Sequence, residues 1–446
     1  MSVSPARTAA FEILLRVERE QSYASELLPS TRLSKLSSSD HGLATELVMG
    51  VLRWRSVLDE RLAIASAQKL ERLDVEVLAA LRLGVYQLQF LSRIPAHAAI
   101  FESVEMVKTA HKRSAAPFVN AVLRKVSAAT KQDVFAEIKN TTNAKMLAAN
   151  SAHPDWLVSR WAERYGFATA RQLCLHNQTV PTTAIHVHDD RAEDDLTHAG
   201  VQVSPGLLLA GARRIQSGDV TKTRAYREGR LSIQDEASQL VALLVGRGKR
   251  ILDCCASPGS KTSLLAKRNP QAKVFATDLH PHRARLLRDL ARLPNIYAIA
   301  ADARQLPFVG GFDRVLADVP CSGTGTLARN PEIKWRLTPE DLFELQSRQI
   351  AILKSALAQL NPGGRLVYST CSLEREENEA VVEVALGGAS EFTTMNCRVE
   401  LEQLQRSGEI CCEQLDSLVA GPYLRTLPGV HPCDGFFAAI IERQTA

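Results

Sequence analysis

Ile251-Leu252-Asp253-Cys254-Cys255-Ala256-Ser257-Pro258-Gly259-Ser260-Lys261-Thr262 reads as a strand that runs into a turn of small residues and then into a helix. Such a turn lets a ligand approach the backbone, and a helix N-terminus favours a negative group. The stretch is not a P-loop, which would need glycine where Cys255 and Ser260 stand, and it is not G-x-G-x-x-G. Taken alone it also fits a plain tight turn.

The surroundings narrow the reading. Apolar strand-like runs recur at Arg250–Cys255, Val274–Thr277, Ile296–Ala300, Arg314–Ala317 and Arg365–Tyr368, with helical segments between most of them. Asp235 is placed to cap a helix that reaches Val245. A last run, Phe436 to Ile441, follows Asp434-Gly435 and suits an antiparallel strand. That rhythm predicts a doubly wound, mostly parallel sheet over residues 234–446. Asp253, Asp278, Asp302 and Asp318 each close or follow a strand. In an open α/β sheet these ends share one edge, where ligands bind, and Asp278 stands where a carboxylate reaches ribose hydroxyls. Any one of them alone also fits a solvated loop aspartate.

Residues 1–130 read as all-helical. Phe11, Leu14, Leu15 and Val17 recur at helical spacing, as do Leu43, Leu47, Val51 and Leu58, then Val77, Leu78, Leu81, Val85 and Leu88. Pro95 and Pro117 break the pattern. Residues 131–233 form a small α+β linking region, with a helix over 155–178 and short strands over 181–233. Its turns fall at Pro205-Gly206, Ser217-Gly218 and Glu228-Gly229. The fold class is therefore α/β, preceded by a helical domain and a linking region.

Composition excludes several classes. In 446 residues the hydrophobic fraction is 45% and the charged fraction 23%, ordinary for a globular chain. No apolar run approaches the ~20 residues of a membrane span. The polar stretch Met1 to Arg19 has no signal-peptide core. Nine cysteines, an odd number without a C-x-x-C pair, suit neither a disulfide framework nor a structural zinc. The expectation is a reduced cytoplasmic monomer without metal or membrane. Net charge is +5, and most of it lies in residues 1–130, a mild basic bias that permits nucleic-acid binding.

Two further motifs carry chemistry. Asp318-Val319-Pro320-Cys321-Ser322-Gly323-Thr324-Gly325 and Tyr368-Ser369-Thr370-Cys371-Ser372 each put a cysteine just beyond a strand on the same edge. Together they resemble the signature of RNA cytosine-5 methyltransferases, and Asp253 to Thr262 resembles that family's S-adenosylmethionine loop. The chain is most similar to the bacterial small-subunit rRNA branch, the RsmB/Sun/Fmu type. Gly50 to Trp54, His97 to Glu105 and Val119 to Arg124 resemble its NusB-like domain. Leu231 to Asp235, Asn330 to Trp335 and Asp434 to Phe437 match its pattern too. Two positions depart from it: Ser260 stands where glycine is usual, and His186-Val187-His188 where Arg-Val-Asn is.

The resemblance implies a Rossmann-like methyltransferase sheet, an RNA substrate (small-subunit rRNA) and S-adenosylmethionine as cofactor. C5 of cytosine is a poor nucleophile until a thiolate adds to C6, so the family uses covalent catalysis. The resemblance assigns that thiolate to Cys371. It gives Asp318 the N3/N4 edge of the base, and Cys321 the loss of the C5 proton and release of Cys371. Lys261 falls near the transfer centre. Cys255, Ala256, Ser257, Pro258, Gly259, Ser260, Lys261 and Asp318 line the cofactor, with Asp278 on the ribose and Asp302 on the adenine amino group. Phosphate contacts fall to helical-domain cations such as Arg113, Arg124 and Lys125. Competing readings are the same chemistry on tRNA, a non-catalytic assembly factor, and exchanged cysteine roles.

Overall fold

The computed structural model describes residues 3–29, 36–189 and 191–445. The chain divides into two compact units, Met1–Val180 with Leu327–Arg336, and Pro181–Thr326 with Leu337–Ala446. No described helix is long and apolar enough to cross a membrane.

The first unit is helical throughout. Its main helices are Pro5–Glu20, Ser38–Arg53, Arg55–Ser66, Val75–Phe90, Ala96–Thr109 and Ala116–Ala128. Shorter ones follow at Val134–Lys139, Ala144–Asn150, Asp155–Tyr165 and Phe167–Asn177. The apolar periodicity lands inside: Leu47, Leu58, Leu81, Val85 and Leu123 are fully buried. Segment Leu327–Arg336 joins this unit by satisfying groups that helix ends leave without intrahelical partners. Trp335 Nε1 donates to Leu52 O at 2.7 Å and Lys334 Nζ to Arg53 O at 2.8 Å, at the end of Ser38–Arg53. Arg336 donates to Val17 O, in the last turn of Pro5–Glu20, and to Ser22 O beyond its end, both at 2.8 Å. Glu332 Oε1 accepts from Ala24 N at 2.6 Å.

The second unit begins with an antiparallel sheet: β1 (Ala184–Val187), β2 (Gln202–Pro205), β3 (Ala212–Ser217) and β4 (Leu231–Ile233), ordered β2-β3-β1-β4. A short helix, Arg191–His198, lies between β1 and β2 and buries Ala192 and Leu196, one turn apart. Strand patterning alone does not show this helix. The main sheet contains β5 (Arg250–Asp253), β6 (Lys273–Asp278), β7 (Ile296–Ala300), β8 (Phe312–Asp318), β9 (Leu360–Thr370), β10 (Phe392–Met395), β11 (Val419–Ala420), β12 (Tyr423–Arg425) and β13 (Phe437–Arg443). Their order is β11-β12-β13-β9-β8-β5-β6-β7, and β10 also pairs with β13. Strands β9, β8, β5, β6 and β7 are parallel. β13 runs antiparallel to β9, as its sequence suggests, with β10 and β12 on its far side.

Alternate residues face opposite layers, as a pleated strand requires. Ile251, Leu316, Val367 and Ile440 pack with helices Glu236–Val245 and Ser260–Arg268. Leu252, Val315, Leu366 and Ile441 pack with helices Pro339–Leu357 and Glu379–Leu386. Asp235 caps the first of these helices by accepting from Ala237 N at 2.9 Å. Strand order reverses direction at β5, which lies between β6 and β8, so a crevice opens beyond their C-terminal ends.

Gly50 tests the helical unit. It lies in Ser38–Arg53, and a Cβ there would enter the Tyr86 ring. That ring cannot easily move: it is buried, stacks on Phe90 at 5.2 Å and donates its hydroxyl to Glu46 at 2.5 Å. Helix propensity favours alanine over glycine by ~1 kcal/mol, whereas overpacking costs ~1–3 kcal/mol. Gly50→Ala is expected to lower the denaturation midpoint. A raised midpoint would contradict this packing.

Candidate active site

The C-terminal edge of the parallel strands carries the expected residues. β5 ends at Asp253, β6 at Asp278, β8 at Asp318 and β9 at Thr370, one residue before Cys371. Asp302 follows β7 and caps the short turn Ala303–Gln305. Register fixes their alignment, with Asp253 opposite Leu316, and Asp318 opposite Ser369.

Two contacts join the inner strands. Lys261, in the first turn of Ser260–Arg268, places Nζ 2.8 Å from Asp318 Oδ2. Ser369 Oγ donates to Asp318 Oδ1 at 2.7 Å. Burial alone would lower the Lys261 pKa, but the charge and hydrogen bond of Asp318 outweigh it and raise it. The same ammonium lies 5.2 Å from the Phe436 ring centroid, a cation–π distance. The second contact is between thiols: Cys321 Sγ and Cys371 Sγ are 3.4 Å apart and unbonded. The Cys321 pKa is pushed well above the ordinary value by its hydrogen bond to Cys371, then by burial and the Cys371 charge, with Glu377 adding to it.

The turn after β5 is built for close approach. Gly259 has φ of +109° and precedes Ser260, the first helical residue. Cys255 is pushed up by burial first, then by Cys254, Asp253, Asp318 and Asp278, so the turn lies among carboxylates. Asp253 is 1% exposed, accepts from Thr262 Oγ1 at 2.7 Å, and has an Oδ1 atom with no hydrogen-bond partner. Burial raises its pKa to about 7, against the bond from Thr262. Asp278 is buried and accepts from His280 N at 3.0 Å. Asp302 is more exposed, and Arg304 donates to it through its backbone and guanidinium, which lowers its pKa.

Lys261 and Asp318 form one contact and Cys321 and Cys371 another, and the charges of Cys371 and Asp253 also act on Lys261. Asp278 and Asp302 stand further along the same edge, at the ends of β6 and β7. At the departing positions, Ser260 opens its helix without strain, since only Gly259 needs the positive φ. His186 Nδ1 lies 2.8 Å from Gln239 Oε1, and its ring is 4.8 Å from that of His188. Burial lowers both imidazoles, His188 to about 3, so this pair offers no cation. In the helical unit Lys125 donates to Ala65 O at 3.2 Å. Arg124 instead lines a groove of about 540 Å³ with His97, Phe101 and Lys108.

Several residues around the cysteines escaped the sequence reading: Ser322, Gln349, Ser372, Glu377 and Asn378. All are buried, and they form one hydrogen-bond network. Ser322 and Ser372 stand in the two cysteine motifs without an assigned role, and Glu377 and Asn378 lie in the polar run Glu374 to Glu379 just after the second.

Comparison with known proteins places the chain among relatives of known family. Residues 240–442 match the family model described as 16S rRNA methyltransferase RsmB/F, and residues 4–128 match the NusB family. The probable ribosomal RNA small subunit methyltransferase B of Bacillus subtilis is 33% identical, over 100% of both chains. The ribosomal RNA small subunit methyltransferase B of Vibrio cholerae is 32% identical over 98% of this chain and 97% of its own. The crystal structure of PH0851 superposes with a TM-score of 0.81 at 21% identity, covering 99% of this chain and 100% of that one. A methyltransferase homologue from Pyrococcus horikoshii gives 0.54 at 24% identity, over 67% and 97%.

The buried carboxyl of Asp253 makes stability depend on pH. Its folded pKa of about 7 lies above the ordinary carboxyl value of 3.8. The unfolded chain therefore loses this proton first, and the folded state loses stability as pH rises from about 4 to about 7. Asp253→Asn removes that term. Its denaturation midpoint should gain on wild type across this window, by at most ~4 kcal/mol, and no further above it. A constant difference between pH 5 and 8 would contradict the burial argument.

Proposed function

The chain belongs to the RsmB/F family of 16S rRNA methyltransferases, and from that premise we propose that it methylates C5 of a cytosine in small-subunit rRNA through a covalent bond from Cys371 to C6. S-adenosylmethionine is its cofactor, which when bound supplies an electrophilic methyl group on a cationic sulfonium. The residues present fit it. A buried, unpartnered carboxylate oxygen on Asp253 and the nearby Asp278 and Asp318 suit a cationic, hydroxyl-bearing ligand. The first-turn N–H groups of Ser260–Arg268 have no intrahelical partners and suit its carboxylate. Cys255 to Lys261 would line it and Asp278 would hold the ribose hydroxyls. Asp302 would take the adenine amino group once Arg304 turns away, since that guanidinium now fills its oxygens.

The observation that carries the chemical reading is the thiol pair at 3.4 Å. The hydrogen bond to Cys371, burial and neighbouring charge raise the Cys321 pKa. The family resemblance gives the thiolate to Cys371, and its addition to C6 makes C5 enamine-like and nucleophilic. Asp318, paired with Lys261 at 2.8 Å, would accept from the N4 amino group and steady the adduct. Once Cys371 becomes a thioether it no longer bonds or repels as an anion. The bond to Cys371 and its charge then no longer raise Cys321, so the Cys321 thiol would release its proton to solvent and, as a thiolate, accept the C5 proton. Elimination then frees Cys371.

In this reading residues 1–130 bind RNA, 131–233 link and add contacts, and 234–446 perform the transfer, in a reduced cytoplasm where all nine cysteines stay free. The base reaches the site from a loop or by leaving its stack.

A covalent-trapping gel tests the cysteine roles. Wild type, Cys321→Ala and Cys371→Ala are each mixed with small-subunit rRNA and S-adenosylmethionine and run under denaturing conditions. Cys321→Ala should accumulate a protein–RNA adduct. Cys371→Ala should form none and lose methyl transfer by at least roughly 10³-fold. An adduct seen only with Cys371→Ala would exchange the roles, and methylated tRNA with untouched rRNA would change the substrate.

A further inference from the structure

Glu377 is 0% exposed, yet it is a carboxylate. Such a group is retained inside a protein only when its oxygens are satisfied. Here the donors come from the two cysteine loops. Ser322, which follows Cys321, donates its backbone N–H to Glu377 Oε1 at 2.8 Å and its hydroxyl to Oε2. Ser372, which follows Cys371, donates its hydroxyl to the same Oε2 at 2.5 Å. The two serine hydroxyls are themselves 3.1 Å apart. One oxygen thus holds the residue after each thiol.

Other bonds close the frame. Gln349, on Pro339–Leu357, donates to Glu377 Oε1 and to Pro320 O, both at 2.9 Å, so Cys321 is fixed from the residue before it as well. Thr370 Oγ1 donates to Asn378 Oδ1 at 2.5 Å and Asn378 Nδ2 donates to Ser372 O at 2.9 Å, which brackets Cys371. The carbonyl of Glu377 accepts from Tyr368 OH at 2.6 Å. Without the carboxylate, three donors at the tips of two separate loops would lose their common acceptor.

We propose that Glu377 is a positioning residue: it does not touch the base, but it sets the separation and alignment of Cys321 and Cys371. The proposal rests on the two-cysteine chemistry above. Covalent catalysis needs one thiol at C6 and the other near C5 of the same base, and misplacement by about 1 Å costs on the order of 10²-fold in rate. Glu377→Gln keeps size but offers one acceptor oxygen where two are used.

The test has two arms on the full chain. In the first, Glu377→Gln should lower kcat on the order of 10–100-fold, with KM for rRNA and for S-adenosylmethionine within roughly twofold. In the second, without RNA, diamide joins the thiols: the S–S bond forms and the N=N group takes both hydrogens, becoming the hydrazine. The yield of the linked Cys321–Cys371 peptide, read by mass spectrometry, should form about tenfold more slowly than in wild type. Ser322→Ala keeps the carboxylate and should show a smaller loss in both arms; it carries the comparison if Glu377→Gln does not fold. Unchanged kcat with an unchanged linking rate overturns the proposal. So does a fall in kcat matched by rising KM values with an unchanged linking rate, which marks general damage. If wild type methylates no rRNA, the proposed function fails, while the linking rate still decides the role of Glu377.

Discussion

The placement of β5 between β6 and β8, all three parallel, is the constraint on which the site depends. Because each strand alternates its faces, register is set by the two apolar layers, and a slip of one residue would turn Ile251 and Leu252 to the wrong sides. With register held, Asp253, Asp278 and Asp318 must end on one edge. Helices return on both sides of the sheet, so that edge opens at the strand where the order reverses. The chemistry is then a matter of which residues occupy the first two or three positions after each strand.

Those positions carry more negative than positive charge. Lys261 neutralises Asp318 at 2.8 Å, whereas among the described residues the side-chain donor to Asp253 is the hydroxyl of Thr262. The protein responds by raising the Asp253 pKa, since an unpaired buried carboxylate is more costly than a protonated one. A cationic ligand reverses that balance. In the proposed function, the excess of carboxylates, unfavourable in the free protein, would favour a sulfonium. The two cysteine sulfurs are 3.4 Å apart, and the bond to Cys371 raises the Cys321 pKa.

The legible part of the molecule was the part whose physics is local. Strand runs ending in aspartate, helical periodicity in residues 1–130, and cysteines after strands are all visible within ten residues. The cap Asp235 is likewise local, two residues from the N–H it accepts. What escaped depends on pairing at a distance. Strands β11 and β12 have two and three residues, too few to show alternation. Glu377 lies in a run of glutamates that resembles a surface, and only the meeting of two loops fifty residues apart buries it. The match at Asn330 to Trp335 likewise did not reveal which unit those residues join, because Trp335 meets Leu52 across 283 residues.

That excursion follows from helix ends. Ser38–Arg53 and Pro5–Glu20 each finish with carbonyls that no further turn can satisfy. A cation or N–H donor brought there gains both a hydrogen bond and a favourable interaction with the helix dipole. Leu327–Arg336 supplies an indole, an ammonium and a guanidinium in three consecutive residues. Burial pushes the Lys334 pKa well down, and Arg53 adds to the effect, so this donor is held by its carbonyl and its packing rather than by a counter-charge. The segment starts two residues after Gly325, whose N–H donates to Cys371 O at 2.9 Å. The loop that carries Cys321 thus begins at the end of β8 and is tied to the loop of Cys371 by that backbone bond.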